Sequence, residues 1–343
     1  MTAALVVDHL LVQADACARF GSPLTADLLR GAADDVRAGG PVADLLLPLA
    51  HLAADHALGL RFAAALHRLV LERRAPLLAL HYPSVGGTPG DVWPAARQTV
   101  EQEATALHDL VRRPVQTNEV GRSSALLGGL LHVAAGTGLP VRLLEVGASA
   151  GLNLQVDRFR HEVADGVVLG DAASPVRLDT HWEGRLPPTG TSLVLAGRRG
   201  CDPAPLDPRS ASDRLTLTSC VWADQLDRFE RLRAALSVAA AHPEPVERLG
   251  AAAFLERELH PRPGAVTVVW HSVVWQYLPD EERQQVRDLL DDAGRRATAA
   301  APVAHLRLEP DGDGAVVTLT SWPSGGTRQL ARCTPHGPPV VWD

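Results

Sequence analysis

A short segment near the middle of the chain combines an acid, small residues and a hydroxyl directly after an apolar run. The run at 141–144 leads into Glu145, then Gly147-Ala148-Ser149-Ala150-Gly151, and then Asn153. Small residues after a buried strand let the backbone approach a ligand closely, and parallel sheets bind ligands at their carboxyl edge. The acid before the glycines is suited to hold the loop or to receive a ligand amine. The segment therefore predicts a ligand site.

A second segment with chemical potential follows a later apolar run. Residues 266–270 are apolar except for one threonine, and they lead into His271, with Trp275 and Tyr277 shortly after it. Histidine accepts a proton near neutral pH, which suits the activation of a hydroxyl, amine or carboxyl nucleophile. We predict that His271 is the catalytic base. The alternative interpretation is a buried, hydrogen-bonded histidine.

Two polar or glycine-rich segments interrupt the upstream helical sequence. Residues 81–87 contain Tyr82, and residues 116–122 contain Asn118, Glu119 and Arg122. Their side chains are suited to bind a polar group of a ligand, and we predict that the two segments form a lid. The alternative interpretation is capping and turn chemistry.

An acid, one intervening position and a glycine loop resemble motif I of class I S-adenosylmethionine-dependent methyltransferases, with Ser149 in place of the middle glycine. Asp202 follows the apolar run at 193–197 and lies where the resemblance puts the ribose-binding acid. Residues 266–279 are similar to the fourth strand and loop through which family members contact cofactor and substrate. The resemblance implies S-adenosylmethionine as cofactor and a small polar methyl acceptor. Over its whole length the chain also resembles a large bacterial family of unknown function.

The predicted site joins these segments around His271, and it requires no metal. The predicted cofactor-binding residues are Glu145, Gly147, Ala148, Ser149, Gly151, Asn153, Asp202 and Trp270. The predicted substrate or lid residues are Tyr82, Asn118, Glu119, Arg122, Trp275 and Tyr277.

The same loop also spells G-x-S-x-G, the nucleophile elbow of α/β-hydrolases. Ser149, then Asp311 or Asp313, then His336 would complete a triad in the order Ser, Asp, His. No H-G-G-G-like oxyanion segment precedes the loop, and the upstream sequence looks helical, so the methyltransferase interpretation is favoured. A third interpretation is a module that binds the cofactor without catalysis.

Composition excludes several classes of function. The 343 residues include no lysine, which removes Schiff-base chemistry, pyridoxal phosphate aldimines and the Walker lysine. A net charge of -7 argues against a nucleic-acid surface and favours a small-molecule partner. The four cysteines form no C-x-x-C pair, so neither a zinc knuckle nor a disulfide framework is predicted.

The pattern of apolar residues changes near residue 139. Residues 1–138 predict a helical N-terminal cap domain, with one helix that starts at Ser22-Pro23 and stops at Gly39-Gly40 and further helices near 44–56, 58–80, 93–112 and 119–137. Residues 139–343 predict a Rossmann-like α/β domain with a mostly parallel sheet and a C-terminal antiparallel hairpin. Glu145 and Asp202 are separated by far more than the roughly 20 residues typical of such folds, so an insertion is predicted at about 162–190.

The predicted strands lie near 141–146, 193–197, 245–249, 265–271 and 303–308, and the hairpin joins 315–321 to 327–333. The predicted helices between them lie near 151–161, 223–240, 251–259 and 280–298. No signal peptide is apparent, and glycines break the uncharged stretch at 123–141, so we expect a cytoplasmic protein without a membrane span. The sequence carries no signal for an oligomeric state.

Overall fold

The computed structural model describes residues 2–53, 57–163 and 166–343 of the chain. It is a mixed α/β structure with many helices and a large, mostly parallel sheet. The chain divides into two compact units: unit 1 comprises Met1–Thr117 and Ala211–Glu230, and unit 2 comprises Asn118–Ser210 and Arg231–Asp343. None of the described helices has the length and apolar character needed to cross a membrane.

The described part of unit 1 is built from helices. They are α1 (Thr2–Arg19), α2 (Pro23–Arg37), α3 (Pro41–Leu46), α4 (Leu58–Leu71), α5 (Pro76–Ala79), α6 (Trp93–Gln102), α7 (Ala104–Val111) and, from the later segment, α9 (Ala211–Ser219). Short 3₁₀ helices cover Leu47–Leu52 and Pro83–Val85. An apolar cluster runs through α1 to α7 and includes Ala223 from the later segment.

Helix α2 shows how the later segment completes unit 1. Proline stands at the first helical position, where its missing N–H costs nothing, and Ser22 precedes it. The N–H of Leu24, in the first turn, has no acceptor within the helix and is capped by Asp224, whose Oδ2 accepts at 3.0 Å, while Oδ1 accepts from the Ser22 hydroxyl at 2.5 Å. A carboxylate at a helix N-terminus also matches the helix dipole.

Unit 2 contains the strands. Its helices are α8 (Ser123–Thr137), most of α10 (Leu226–Ala241), α11 (Ala251–Glu258) and α12 (Asp280–Arg296). Its strands are β1 (Val141–Val146), β2 (Arg160–Glu162), β3 (Val168–Gly170), β4 (Arg177–Asp179), β5 (Trp182–Gly184), β6 (Leu195–Asp202), β7 (Val246–Arg248), β8 (Val266–Ser272), β9 (Val303–Asp311), β10 (Gly314–Trp322), β11 (Thr327–Thr334) and β12 (Gly337–Trp342).

Nine of the described strands form one sheet in the order β5-β12-β11-β10-β9-β8-β1-β6-β7. The five strands from β7 to β9 in this order are parallel, and β10, β11 and β12 continue the sheet antiparallel. The predicted hairpin is confirmed as β10 and β11, whereas β12 and its parallel neighbour β5 were not predicted. A small sheet of β3, β2 and β4 occupies much of the predicted insertion at 162–190.

The two faces of the parallel sheet have different neighbours. Val141, Leu143 and Trp270 pack with α8 in one apolar cluster, and strand alternation places Glu145 on the same side, here called the Glu145 face. Leu144, Val146 and Val269 pack with α11 and α12 in another cluster, and alternation places His271 there, on what we call the His271 face.

Several predicted boundaries differ from the structure. The division between units falls at Thr117/Asn118 instead of near residue 138, because α8 packs on the sheet. Glycines allow this packing, since a Cβ at Gly128 would lie 2.1 Å from Trp342 and one at Gly129 would lie 2.4 Å from Leu306.

Several predicted helices are shorter or divided in the structure. The helix predicted at 44–56 instead continues from α3 into a 3₁₀ helix at Leu47–Leu52, and residues 54–56 lie outside the described part of the chain. Prediction 58–80 divides into α4 and α5, with Pro76 starting the second helix, and 93–112 divides at Glu103. The helix predicted at 151–161 is wrong, because only a 3₁₀ helix at Asn153–Arg158 forms there.

Candidate functional site

The loop after β1 turns sharply at alternate residues. Gly147, Ser149 and Gly151 have φ angles of +71°, +53° and +70°, which belong to the left-handed region that favours glycine. A Cβ at Gly147 would lie 2.4 Å from Val274 Cγ2. The glycine at this position is therefore required both by the backbone angle and by the close approach of the segment that follows β8.

The amide groups of this loop are occupied within unit 2. Ala148 N donates to Cys201 O, Ser149 N to Asp202 Oδ2, and Gly151 N to Ala148 O, at 2.9, 3.0 and 2.7 Å. Ala150 N and Leu152 N both donate to Asn118 Oδ1 at 3.1 Å. A phosphate-binding loop presents free N–H groups to its ligand. The N–H groups of this loop already have acceptors in the protein, so they are not available to bind a pyrophosphate.

Glu145 directly precedes this loop, near the carboxyl end of β1. Its side chain is on the Glu145 face and is almost fully buried. Burial raises the pKa of the Glu145 carboxyl to about 8, and the nearby polar groups of Asn153, Trp270 and Arg122 counteract only part of the increase. The carboxyl is therefore mainly protonated at neutral pH when no ligand cation is beside it.

Three buried polar atoms in this neighbourhood have no partner that meets the distance and angle of a hydrogen bond within the described residues. They are Glu145 Oε2, Asn153 Oδ1 and Trp270 Nε1. Trp270 is paired with Glu145 in the β1–β8 register, so the two side chains leave adjacent strands on the same face. Buried polar groups normally have partners, and each exception calls for an explanation such as a water or a bound ligand.

The predicted lid residues Asn118, Glu119 and Arg122 form hydrogen bonds with backbone groups near the site. Asn118 fixes the loop, and Glu119 Oε1 accepts from Gly121 N at 3.0 Å. Arg122 donates from Nη1 to Ser272 O at 3.1 Å and from Nε to Pro335 O at 2.8 Å. These contacts position the end of β8 and the turn before β12.

Asp202 ends β6, the strand beside β1 in the parallel sheet. Its Oδ2 accepts from Ser149 N, and its Oδ1 accepts from Ala204 N at 2.8 Å. The carboxylate therefore fixes the loops after two neighbouring strands. Each oxygen has a second lone pair, and the ribose contact of Asp202 stays a prediction.

His271 lies on the opposite face from Glu145 and is 2% exposed. Its Nδ1 is 2.6 Å from Glu309 Oε1, and its Nε2 is 2.9 Å from His305 Nε2. Because an ionised carboxylate only accepts, Nδ1–H donates to Glu309, and one proton lies between the two Nε2 atoms. Burial, followed by the neighbouring His271 and Arg307, lowers the pKa of His305 well below its usual value.

The aromatic residues near His271 differ in exposure. The Trp275 ring stacks on His271 at 5.4 Å, and the guanidinium of Arg287 lies 5.6 Å from the centre of the same ring. Tyr277 is 43% exposed. Tyr82 belongs to unit 1, where it is buried and its ring lies 5.4 Å from the ring of His67.

The structure thus brings together Glu145, Asn153 and Trp270, with the loop and Asn118 beside them, but it separates them from His271. The sequence reasoning missed Glu309 and His305. Alternation in β9 carried a signal for both, since apolar Ala304, Leu306 and Leu308 put the odd-numbered residues on the other face. Among the described residues, no group of three or more His, Cys, Asp or Glu side chains is arranged to hold a metal ion.

Comparison with known proteins shows the family. No curated protein and no solved structure matches the chain. The model of a bacterial family, described as "Uncharacterized protein conserved in bacteria (DUF2332)", matches residues 7–342. The match covers nearly the whole chain, and the protein therefore belongs to this bacterial family.

Proposed function

We propose that unit 2 binds S-adenosylmethionine at the carboxyl edge of the parallel sheet and transfers its methyl group to a small polar acceptor. The observation that carries the proposal is a cluster of buried polar atoms around Glu145, near the carboxyl end of β1, that make no contact meeting the distance and angle of a hydrogen bond among the described residues. Asn153 Oδ1 is an acceptor, and Glu145 Oε2 becomes one when a ligand ammonium lowers the pKa of the carboxyl and the carboxyl ionises. A ligand amine supplies the donors that they lack.

The order of the parallel strands supports the proposal. β1 lies at the centre, with β6 and β7 on one side and β8 and β9 on the other. The chain passes from β1 to β6 and β7 on one side, and then from β7 to β8 and β9 on the other. This reversal makes the carboxyl end of β1 a topological switch point, where such folds bind ligands. A methyltransferase-type Rossmann fold is the form of this arrangement that we propose.

The occupied N–H groups of the loop favour this cofactor over a dinucleotide. A nicotinamide or flavin dinucleotide brings a pyrophosphate, which needs free amides at a helix N-terminus. Here the amides of residues 148–152 have acceptors, and a 3₁₀ helix instead of an α-helix follows. A ligand with an amine and a ribose, and without phosphate, suits such a loop.

When bound, S-adenosylmethionine supplies a methyl group on an electrophilic sulfonium. The contribution of this chain is then mainly to hold an acceptor in line with that methyl group and to exclude water. Glu145 and Asn153 would hold the amino-acid end, and Asp202 the ribose. The role of His271 as a base stays a prediction, and its hydrogen-bond partners Glu309 and His305 would take part in that role.

Calorimetry at pH 7 tests the proposal with S-adenosylmethionine and its demethylated product. An ammonium beside Glu145 lowers the pKa of that carboxyl, so we expect binding to release a proton and the heat to depend on the ionisation enthalpy of the buffer. Glu145→Gln should remove the proton release, while Asp292→Asn, on the exposed side of α12, should retain it. No binding at about 1 mM ligand would reject the proposal.

An α/β-hydrolase built on Ser149 remains the second proposal, because the positive φ of Ser149 matches the strained turn of a nucleophile elbow. Two observations weigh against it. The α-helix that follows such an elbow is a 3₁₀ helix here, and Asp311 forms an ion pair with Arg332 at an exposed position. Labelling of the wild-type protein by a fluorophosphonate, lost in Ser149→Ala, would favour the hydrolase.

A further inference from the structure

A cleft in unit 1 combines positive charge with an apolar wall. The space within and in front of it amounts to about 330 Å³ and is largely open to solvent. Its walls come from α4, from the end of α7 with the segment after it, and from α9. All of these elements belong to unit 1, and the cleft shares no residue with the site at Glu145.

Three arginines line the cleft, and none of the described lining residues is acidic. Arg61 and Arg68 stand seven positions apart on α4, which places them on the same side of the helix. Each is only 8% exposed, whereas Arg113 is exposed to solvent. Glu72 offsets the charge of Arg68, whereas Arg113 forms no ion pair among the described residues, so a positive group lies at the exposed edge of the cleft, where it attracts anions.

The two buried guanidiniums are held in place by protein groups. Arg68 donates from Nε to Glu72 at 2.5 Å and from Nη1 to Ser212 O and Thr216 Oγ1 at 3.0 and 3.1 Å. Arg61 donates from Nη1 to Arg112 O at 2.9 Å. Such contacts fix the orientation of the planar forks before a ligand arrives, which lowers the entropic cost of binding.

The remaining surface of the cleft indicates what kind of anion fits. Leu110, Pro114 and Val115 form an apolar wall, and Thr216 and Ser219 add hydroxyl groups. Ligand sites commonly join an apolar lining to a few placed polar groups. A bare inorganic ion would leave the apolar wall unused.

We propose that this cleft binds a small organic anion, whose phosphate or carboxylate contacts Arg61, Arg68 and Arg113 and whose carbon skeleton packs on the apolar wall. Guanidinium forks match both oxyanions, which is why the two share one site chemistry. The proposal goes beyond methyl transfer and does not depend on it, because none of the residues involved belongs to unit 2.

The test titrates the full-length protein by calorimetry with pyrophosphate and with succinate, at constant ionic strength. We expect saturable binding of at least one probe, and a loss of affinity of about tenfold or more in Arg113→Gln and in Arg61→Gln, since each removes charge-assisted hydrogen bonds. Arg30→Gln is the matched control, because Arg30 lies on α2 and pairs with Asp15 and Asp27 outside the cleft.

The probes also separate the two kinds of anion. Binding of pyrophosphate alone assigns a phosphorylated ligand, and binding of succinate alone assigns a carboxylate; either supports the site when Arg113→Gln weakens it. Arg113 is exposed, so its substitution leaves folding intact even where the buried Arg61→Gln unfolds the protein. The proposal is overturned when neither probe saturates by about 10 mM, or when Arg113→Gln and every folded Arg61 variant bind as wild type does.

Discussion

The two faces of the parallel sheet differ in the hydrogen-bond partners of their buried polar groups. Trp270 pairs with Glu145 and His271 with Val146 in one register, so Glu145 and His271 end neighbouring strands on opposite faces. On the His271 face, both ring nitrogens of His271 have partners. On the Glu145 face, Glu145 Oε2, Asn153 Oδ1 and Trp270 Nε1 lie close together, and among the described residues none of the three makes a contact that meets the distance and angle of a hydrogen bond. Protein groups satisfy both ring nitrogens of His271, whereas the Glu145 cluster is where we propose that a ligand binds.

The two buried groups at the centres of these faces differ in how their polar atoms are satisfied. Burial raises the pKa of Glu145 and lowers that of His305, so both groups favour their neutral forms. His305 gains a nitrogen partner for its polar edge, whereas Glu145 keeps an unmatched oxygen. A buried polar atom without a partner costs stability, and a ligand that satisfies it recovers this cost on binding.

The largest effect is expected for Gly147→Val, which breaks the loop of the Glu145 face. The positive φ and the 2.4 Å approach to Val274 both penalise a side chain, so the free energy of unfolding should fall by about 3 kcal/mol or more. Urea denaturation measures it. Gly197→Val is the control, because a Cβ there meets nothing within 4 Å. Equal losses in both variants would contradict the role of the loop.

Glu145→Gln sharpens the comparison through pH. The folded pKa of about 8 lies above the unfolded value, so folding retains a proton between the two values. The stabilisation is fully present below the unfolded pKa and is lost as the pH rises towards 8, by up to about 1.4 kcal/mol per pH unit. Urea denaturation from pH 5 to 9 should show this slope in the wild type and not in the variant. Parallel profiles would count against a protonated Glu145.

Glu309→Gln tests the completeness of the His271 face. Glu309 Oε1 accepts from His271 and from the backbone N–H groups of Val274 and Trp275 at 3.2 and 3.3 Å. Loss of these charge-assisted bonds should reduce the free energy of unfolding by about 2 kcal/mol. Affinity for S-adenosylmethionine should stay within about twofold of the wild-type value. The control is Glu281→Gln, at an exposed position of α12, which should also leave the affinity unchanged. A tenfold loss of affinity would mean that the faces are coupled.

The smallest effect is expected for Ser149→Gly, which restores the middle glycine of the loop. Relief of the left-handed backbone at φ +53° favours the folded state, while the added freedom of glycine favours the unfolded one. The two effects oppose each other, so the free energy of unfolding should change by less than about 1 kcal/mol. A larger loss in urea denaturation would show that the Ser149 side chain itself supports the site.

Local patterns predicted the centre of the candidate site but not its surroundings. The strand, the loop and the acid were readable around Glu145, because apolar runs, small residues and polarity are local signals. The pairing of His271 with His305 and Glu309 depends on the register of two strands, which no local pattern fixes. The helix expected at 151–161 was wrong, because the chain forms only a 3₁₀ helix at Asn153–Arg158 and then enters β2 at Arg160. The contact of the loop with Asn118, far earlier in the chain, could not be predicted from a local pattern.

The interleaving of unit 1 has a consequence for synthesis on the ribosome. His67 on α4 contacts the carbonyl oxygens of Ser219 and Val221, the latter 154 residues later in the chain. At roughly 5–20 residues per second, α4 waits about 8–30 s for these partners. The fully buried residues of this helix, such as Phe62 and Leu66, are at risk of aggregation in that interval. We therefore expect the yield of native protein to respond to translation speed between residues 117 and 230.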